Sequence, residues 1–266
     1  MLKFKSLFNK QCSVIAMIHV DALPGTPLFS GSVDNIVKKA CKEAEIYLSN
    51  RVDGILVENM HDVPYVQSKY FEPEVTASMT RICTELRKII PKYIPFGLQV
   101  LAGGNKEALS IAKVCSMNFI RAEGFVFRFT DADAGLLLRY RKKIEAEDVL
   151  VFTDIKKKHS SHAITSDVSL IETAKAAEFF LSDGIILTGT STGNPADVEE
   201  LQGLKGNINL PVLIGSGVTY ENLENYLSAD ALIVGSHFKR DGKWNNEVDE
   251  ERIRNFMNKI NKQQFY

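Results

Sequence analysis

The 266-residue chain has no apolar run long enough to span a bilayer, and its lysine-bearing start has no stretch of signal-peptide character. A cytoplasmic protein without an integral membrane segment is therefore expected. Net charge is also lacking: a formal balance of -1 leaves no broad basic surface for nucleic acid. The four cysteines, Cys12, Cys41, Cys83 and Cys115, do not show the paired spacing of a zinc site. A chain of this size needs no disulfide framework, so they read as buried or inert thiols. Two nucleotide signatures are missing as well. Gly103-Gly104 is not followed by the glycine, lysine and hydroxyl of a phosphate-binding P-loop, and no strand-to-helix turn carries a dinucleotide fingerprint. A cofactor-free protein is the simplest expectation.

What is present is a grammar of short apolar runs, each ending in polar or glycine-rich residues. Hydrophobic residues make up 45 % of the chain and charged ones 24 %, enough for one large core. The runs cover residues 14–18, 53–57, 95–101, 118–121, 149–153, 184–187, 211–214 and 231–234. Continuous apolar character is the mark of strands covered on both faces, as in a parallel sheet. Between them lie helical patterns at 33–48, through Ile82, Leu86 and Ile90, at 108–114, 136–144 and 169–180, from Pro195, from near Tyr220, and at 250–260. A proline suits the first turn of a helix, where its missing N–H is not needed. Eight such units in one chain favour a closed (β/α)8 TIM barrel over an open doubly wound sheet, because closure leaves no bare strand edge. The reading is one α/β domain over residues 1–266 with short terminal extensions.

A barrel of this kind gathers the residues that follow its strands at one mouth. After the seventh and eighth runs stand Gly215-Ser216-Gly217 and Gly235-Ser236. Glycines let backbone amides approach an anion without an intervening β-carbon, and these two loops are where such barrels commonly seat phosphate. The competing explanation is that the glycines merely allow tight turns. Thr188 and Gly189 extend the same group from the sixth run. At the other strand ends are His19, Glu58-Asn59, Gln99, Arg121 with Glu123, and Asp154 followed by Lys156, Lys158 and His159.

His19, Glu58, Asp154, Lys156, Lys158 and His159 are the candidate catalytic residues. Asp154 suits an acid, base or metal ligand held by a strand, and otherwise a loop cap. Lys156 and Lys158 suit an anion or a carbonyl, and His159 or His19 a proton transfer near neutral pH. Asn59, Gln99, Arg121, Glu123 and Arg128 join the glycine loops as candidate substrate contacts. Phe125, Phe127 and Phe129 around Arg128 fit either a substrate lid or a strand docked on the barrel. Glu58, Glu123 and Asp154 together are the oxygen set that magnesium takes, should they converge.

Several of these segments occur in one order that resembles the BtpA/SgcQ family. They are Ile18-His19-Val20, Leu23-Pro24-Gly25-Thr26-Pro27, Asp53-Gly54-Ile55-Leu56-Val57-Glu58-Asn59 and Arg121-Ala122-Glu123-Gly124, then Asp154-Ile155-Lys156-Lys157-Lys158-His159, Thr188-Gly189, Gly215-Ser216-Gly217 and Gly235-Ser236. The resemblance runs through most of the chain. It implies a β/α barrel related to phosphate-binding barrels. Photosynthetic relatives are associated with photosystem I biogenesis or stability, whereas others carry enzyme-like names. The resulting expectation is a small-molecule enzyme, a lyase or isomerase, acting on a phosphorylated sugar-like or metabolic substrate. Its rivals are a non-catalytic assembly factor and a phosphometabolite sensor, and either an assembly partner or a second copy of the chain is a candidate partner.

Overall fold

A computed structural model describes residues 1–126, 133–155, 167–189 and 193–264. Eight parallel strands close into one barrel in chain order: β1 Ser13–His19, β2 Gly54–Glu58, β3 Phe96–Gln99, β4 Phe119–Ala122, β5 Leu150–Asp154, β6 Gly184–Leu187, β7 Val212–Ile214 and β8 Ala231–Val234. Eight helices accompany them among the described residues: α1 Leu2–Leu7, α2 Val33–Ser49, α3 Pro73–Ile89, α4 Asn105–Val114, α5 Ala134–Lys143, α6 Leu170–Phe179, α7 Val198–Lys205 and α8 Glu250–Gln264. None of them is long and apolar enough to cross a membrane.

Three expectations change. The helix assigned to start at Pro195 starts at Val198, because the Asp197 carboxylate accepts the backbone N–H groups of Glu199 and Glu200 and so caps it. The helix expected from Tyr220 is reduced to the 3-10 turn Leu223–Tyr226. The N-terminal extension is part of the core: α1 puts Phe4 and Phe8 against Phe119 and Phe152 inside the barrel, with ring centroids 4.9 to 5.9 Å apart along this chain of contacts. The barrel floor is thus closed by aromatic rings.

The N-terminal rim follows a repeat of two strands. An Asp or Asn stands immediately before each even strand and accepts a backbone N–H from the first or second residue of the preceding odd strand. The pairs are Val14 N–H to Asp53 at 2.8 Å, Phe96 to Asn118 at 2.9 Å, Val151 to Asp183 at 2.9 Å and Val212 to Asp230 at 2.8 Å. Each clamp also returns its own N–H to the same odd-strand residue's carbonyl. Lys10, Arg141 and Lys205 pair with the three aspartates at 2.6 to 2.7 Å. These polar groups are satisfied locally, as backbone entering a buried sheet requires.

Candidate active site at the barrel mouth

Side chains alternate along a strand, so the inward set of each strand can be traced from the inner core. Ile15, Met17, Leu56, Phe119, Phe152, Ile186, Leu213 and Ile233 fill the lumen. A β-carbon at Gly97 would run into the Phe119 ring, which puts Gly97 on the same inner face. Two residues further along each strand, the alternation delivers one residue per strand to a single upper tier: His19, Glu58, Gln99, Arg121, Asp154, Thr188, Gly215 and Gly235. The six with side chains are all at least nine-tenths buried. All eight belong to the candidate set read from the sequence.

The two glycines make room for their neighbours. A β-carbon on Gly215 would lie 3.1 Å from Arg121 Nη2 and 3.0 Å from Thr188 Cγ2, and one on Gly235 would lie 3.1 Å from the His19 ring. Arg121 occupies the space so left. Its Nε and Nη2 donate to the two oxygens of Asp154 at 2.8 and 2.7 Å, a side-on, two-bond pair. Burial works against the guanidinium charge, but Asp154, joined by Glu58 and Glu123, outweighs it and raises the Arg121 pKa. With both oxygens engaged, Asp154 orients Arg121 before anything else.

His19 is neutral. Burial, then the charge of Lys239, pushes its pKa down to about 3. An oxygen faces each ring nitrogen: Trp244 O lies 3.3 Å from Nδ1 and Glu58 Oε2 lies 3.6 Å from Nε2. One ring proton cannot serve both. Placed on Nδ1, it donates to Trp244 and leaves Nε2 as a lone pair beside Glu58, the arrangement of a hydrogen-bond acceptor. The Glu58 approach is too long for a hydrogen bond. Trp244 is the chain's only tryptophan. Its half-buried ring contacts His61 at a centroid distance of 4.9 Å and meets His19 edge-on at 6.4 Å.

A strap between β8 and α8 carries Trp244 to this position. An antiparallel bridge from Lys239 to Val248 closes its base. The Lys239 ammonium donates to both oxygens of Glu43 on α2 at 2.8 and 2.7 Å, with both side chains buried. No periodicity in the sequence marks this strap; a lone tryptophan in a polar stretch was its only signal.

Other candidates are held by the protein itself. Asn59 donates to Asp62 and to Leu101 O and accepts from Leu101 N–H, which fastens the β2 and β3 loops. Glu123 accepts from Gln99 Nε2 at 3.2 Å and from Gly103 N–H at 2.7 Å. Ser216 accepts from Gly189 N–H at 2.9 Å and donates to Asn194 O at 3.1 Å. β-Carbons on Gly189 and Gly217 would come within 2.4 and 2.2 Å of the Asn194 backbone, so close packing of two loops already requires both glycines. The Gly189 and Gly215 N–H groups are engaged, by Ser216 Oγ and Leu187 O. Those of Gly217, Gly235 and Ser236 donate to no protein acceptor among the described residues, and all three residues are partly exposed. These amides are what remains of the anion seat.

Phe125 is fully buried in the main hydrophobic core. Arg128, Lys156, Lys158 and His159, with Phe127 and Phe129, lie outside the described residues. Among the described residues, no three His, Cys, Asp or Glu side chains converge closely enough to hold a metal ion.

Residues 10–262 match the BtpA family. The chain belongs to that family. A Caenorhabditis elegans relative, named as uncharacterized protein F13E9.13, mitochondrial, is 46 % identical over 97 % of this chain and 96 % of its own length. The photosystem I biogenesis protein BtpA of a Synechocystis species is 32 % identical over 94 % of this chain and 88 % of its own. Among solved structures, thiamine phosphate pyrophosphorylase from Pyrococcus furiosus superposes with a TM-score of 0.61 at 12 % identity, covering 97 % of this chain and 98 % of that one. Such a likeness establishes the TIM-barrel fold.

Proposed function

We propose that this BtpA-family barrel is a small-molecule enzyme that takes a phosphorylated, sugar-like or other metabolic substrate at its mouth and carries out an isomerase or lyase step. One observation carries the reading: every strand gives its last inward position to one tier, with polar side chains from six strands and clearance from the other two. A barrel that needed only stability would fill this tier with apolar side chains, since buried polar groups are costly. Location adds support, because residues at the C-terminal ends of barrel strands are where chemistry is done in this fold.

The geometry supports the following roles. The phosphoryl group is seated by the N–H groups of Gly217, Gly235 and Ser236. Arg121, oriented by Asp154, stabilises a carbonyl or enediolate oxygen. Glu58 takes and returns the proton, and the neutral His19 ring beside it, with its Nε2 lone pair, orients the reacting group as a hydrogen-bond acceptor. The superposed pyrophosphorylase is named for a phosphate compound, which agrees with the seat. The rival reading, a protein that stabilises an assembly or senses a phosphometabolite without turnover, draws on the name of the cyanobacterial relative.

Turnover of a panel of sugar phosphates, followed by NMR, tests the proposal. His19→Asn retains a donor toward Trp244 O but lacks Nε2, and Glu58→Gln removes only the charge. Both are expected to lower turnover, Glu58→Gln at least ~100-fold, the usual weight of a general acid or base, while binding persists. No turnover, together with one stable protein partner retained by both variants, would favour the assembly role.

A further inference from the structure

Two oxygens in the upper tier lack a partner. Gln99 Oε1 and Thr188 Oγ1 are buried with no hydrogen-bond partner among the described residues, in residues 2 % and 8 % exposed. Gln99 is not free to turn its amide around, because Nε2 donates to Glu123. Its oxygen therefore stays an acceptor that needs an outside donor. Thr188 lies against the Gly215 gap that also admits Arg121. Buried polar groups left unpaired cost stability, and those retained call for an explanation. Two others occur among the described residues, Ser13 Oγ and Arg87 Nε. Ser13 opens β1 at the opposite end of the barrel and so supplies a control.

We infer that Gln99 and Thr188 form a hydroxyl-recognition subsite, so that the reacting part of the substrate is a polyhydroxylated carbon chain or ring, with Trp244 as the apolar wall beside it. This rests on the phosphate-seat reading above and makes its substrate class specific. Gln99 Oε1 accepts one substrate hydroxyl and Thr188 Oγ1 exchanges a hydrogen bond with another. Both oxygens are covered, so a ligand reaches them only as neighbouring side chains part. The half-buried Trp244 ring next to His19 suits the C–H face of such a compound, and as the only indole it reports on the mouth alone.

The test is titration of the full chain, read by tryptophan fluorescence and calorimetry, with inorganic phosphate, ribose 5-phosphate and 2-deoxyribose 5-phosphate. Ribose 5-phosphate is expected to bind at least tenfold tighter than inorganic phosphate, with the deoxy compound between them. Thr188→Val, which keeps the shape and removes the hydroxyl, is expected to raise the melting temperature while weakening ribose 5-phosphate at least tenfold and leaving inorganic phosphate unchanged. Ser13→Ala is expected to raise the melting temperature and to leave every affinity alone. Gln99→Leu repeats the affinity pattern of Thr188→Val if it folds, and Thr188→Val decides the matter if it does not. Equal affinity for all three ligands, or a Thr188→Val that keeps wild-type ribose 5-phosphate affinity, overturns the subsite while the phosphate seat stands. Failure of inorganic phosphate and both sugar phosphates to bind sinks the seat and the subsite together.

Discussion

The two ends of this barrel handle buried polarity in opposite ways. At the N-terminal rim, four Asx residues answer an N–H in the first two residues of each odd strand, and three nearby cations answer the aspartates. At the mouth, a neutral histidine faces two oxygens with one proton, and two buried oxygens have no partner among the described residues. The same strands build both ends, so the difference is not imposed by the fold. Among the described residues the rim closes its strand-entry backbone bonds and leaves one buried hydroxyl, Ser13 Oγ, unpaired, whereas the mouth leaves two buried oxygens and three backbone amides open. The Lys239–Glu43 pair joins the two strategies, being a fully bonded structural device beneath the strap that carries Trp244.

Substitutions can break this comparison in graded steps. Lys239→Ala strands the buried Glu43 carboxylate and is expected to cost about 3–5 kcal/mol in chemical denaturation. Replacing the pair with Lys239→Met and Glu43→Leu together should recover most of that loss. A single variant of wild-type stability would show that the strap is not anchored there.

A smaller loss is expected at the rim. Asp183→Ala removes the acceptor of Val151 N–H and the partner of Arg141, for about 1–3 kcal/mol, with ligand affinity untouched. A change in affinity from this site would undo the division between the two ends.

Acid gives the gentlest probe. Above pH 6.5, His19 is neutral in both folded and unfolded chains. Below it the unfolded chain takes up a proton that the native ring refuses until about pH 3. The unfolded state then binds more protons, so stability falls as pH falls through this window, by at most about 1.4 kcal/mol per pH unit for one such group. His237, pushed down to about 4 by burial and then by Arg252, acts in the same direction. His19→Asn should flatten the slope without abolishing it. A flat stability profile between pH 4 and 6.5 in the unaltered chain would contradict the buried neutral ring.

Much of this was legible in the chain itself. Apolar runs ending in His19, Glu58, Arg121 and Asp154 announce strands whose last inward residue is polar, and alternation does the rest. The glycine loops were visible too, but their cause was not. That Gly189 and Gly217 are needed by the Asn194 backbone, and Gly215 and Gly235 by Arg121 and His19, depends on contacts between segments distant in sequence. The floor-closing α1 was hidden for another reason. Six residues with lysines at positions 3 and 5 are too short and too charged to display a periodic face, although Phe4 and Phe8 are buried. The Asx clamps did leave a trace, an Asp or Asn before every even strand, and a search for a two-strand repeat finds it.

The most direct measurement is a crystal structure of the protein grown with ribose 5-phosphate. The account predicts a phosphoryl group within hydrogen-bond reach of the Gly217, Gly235 and Ser236 N–H groups, with a sugar hydroxyl on Gln99 Oε1. A sugar phosphate bound away from the mouth, or those amides turned aside and capped by the protein's own side chains, would contradict it.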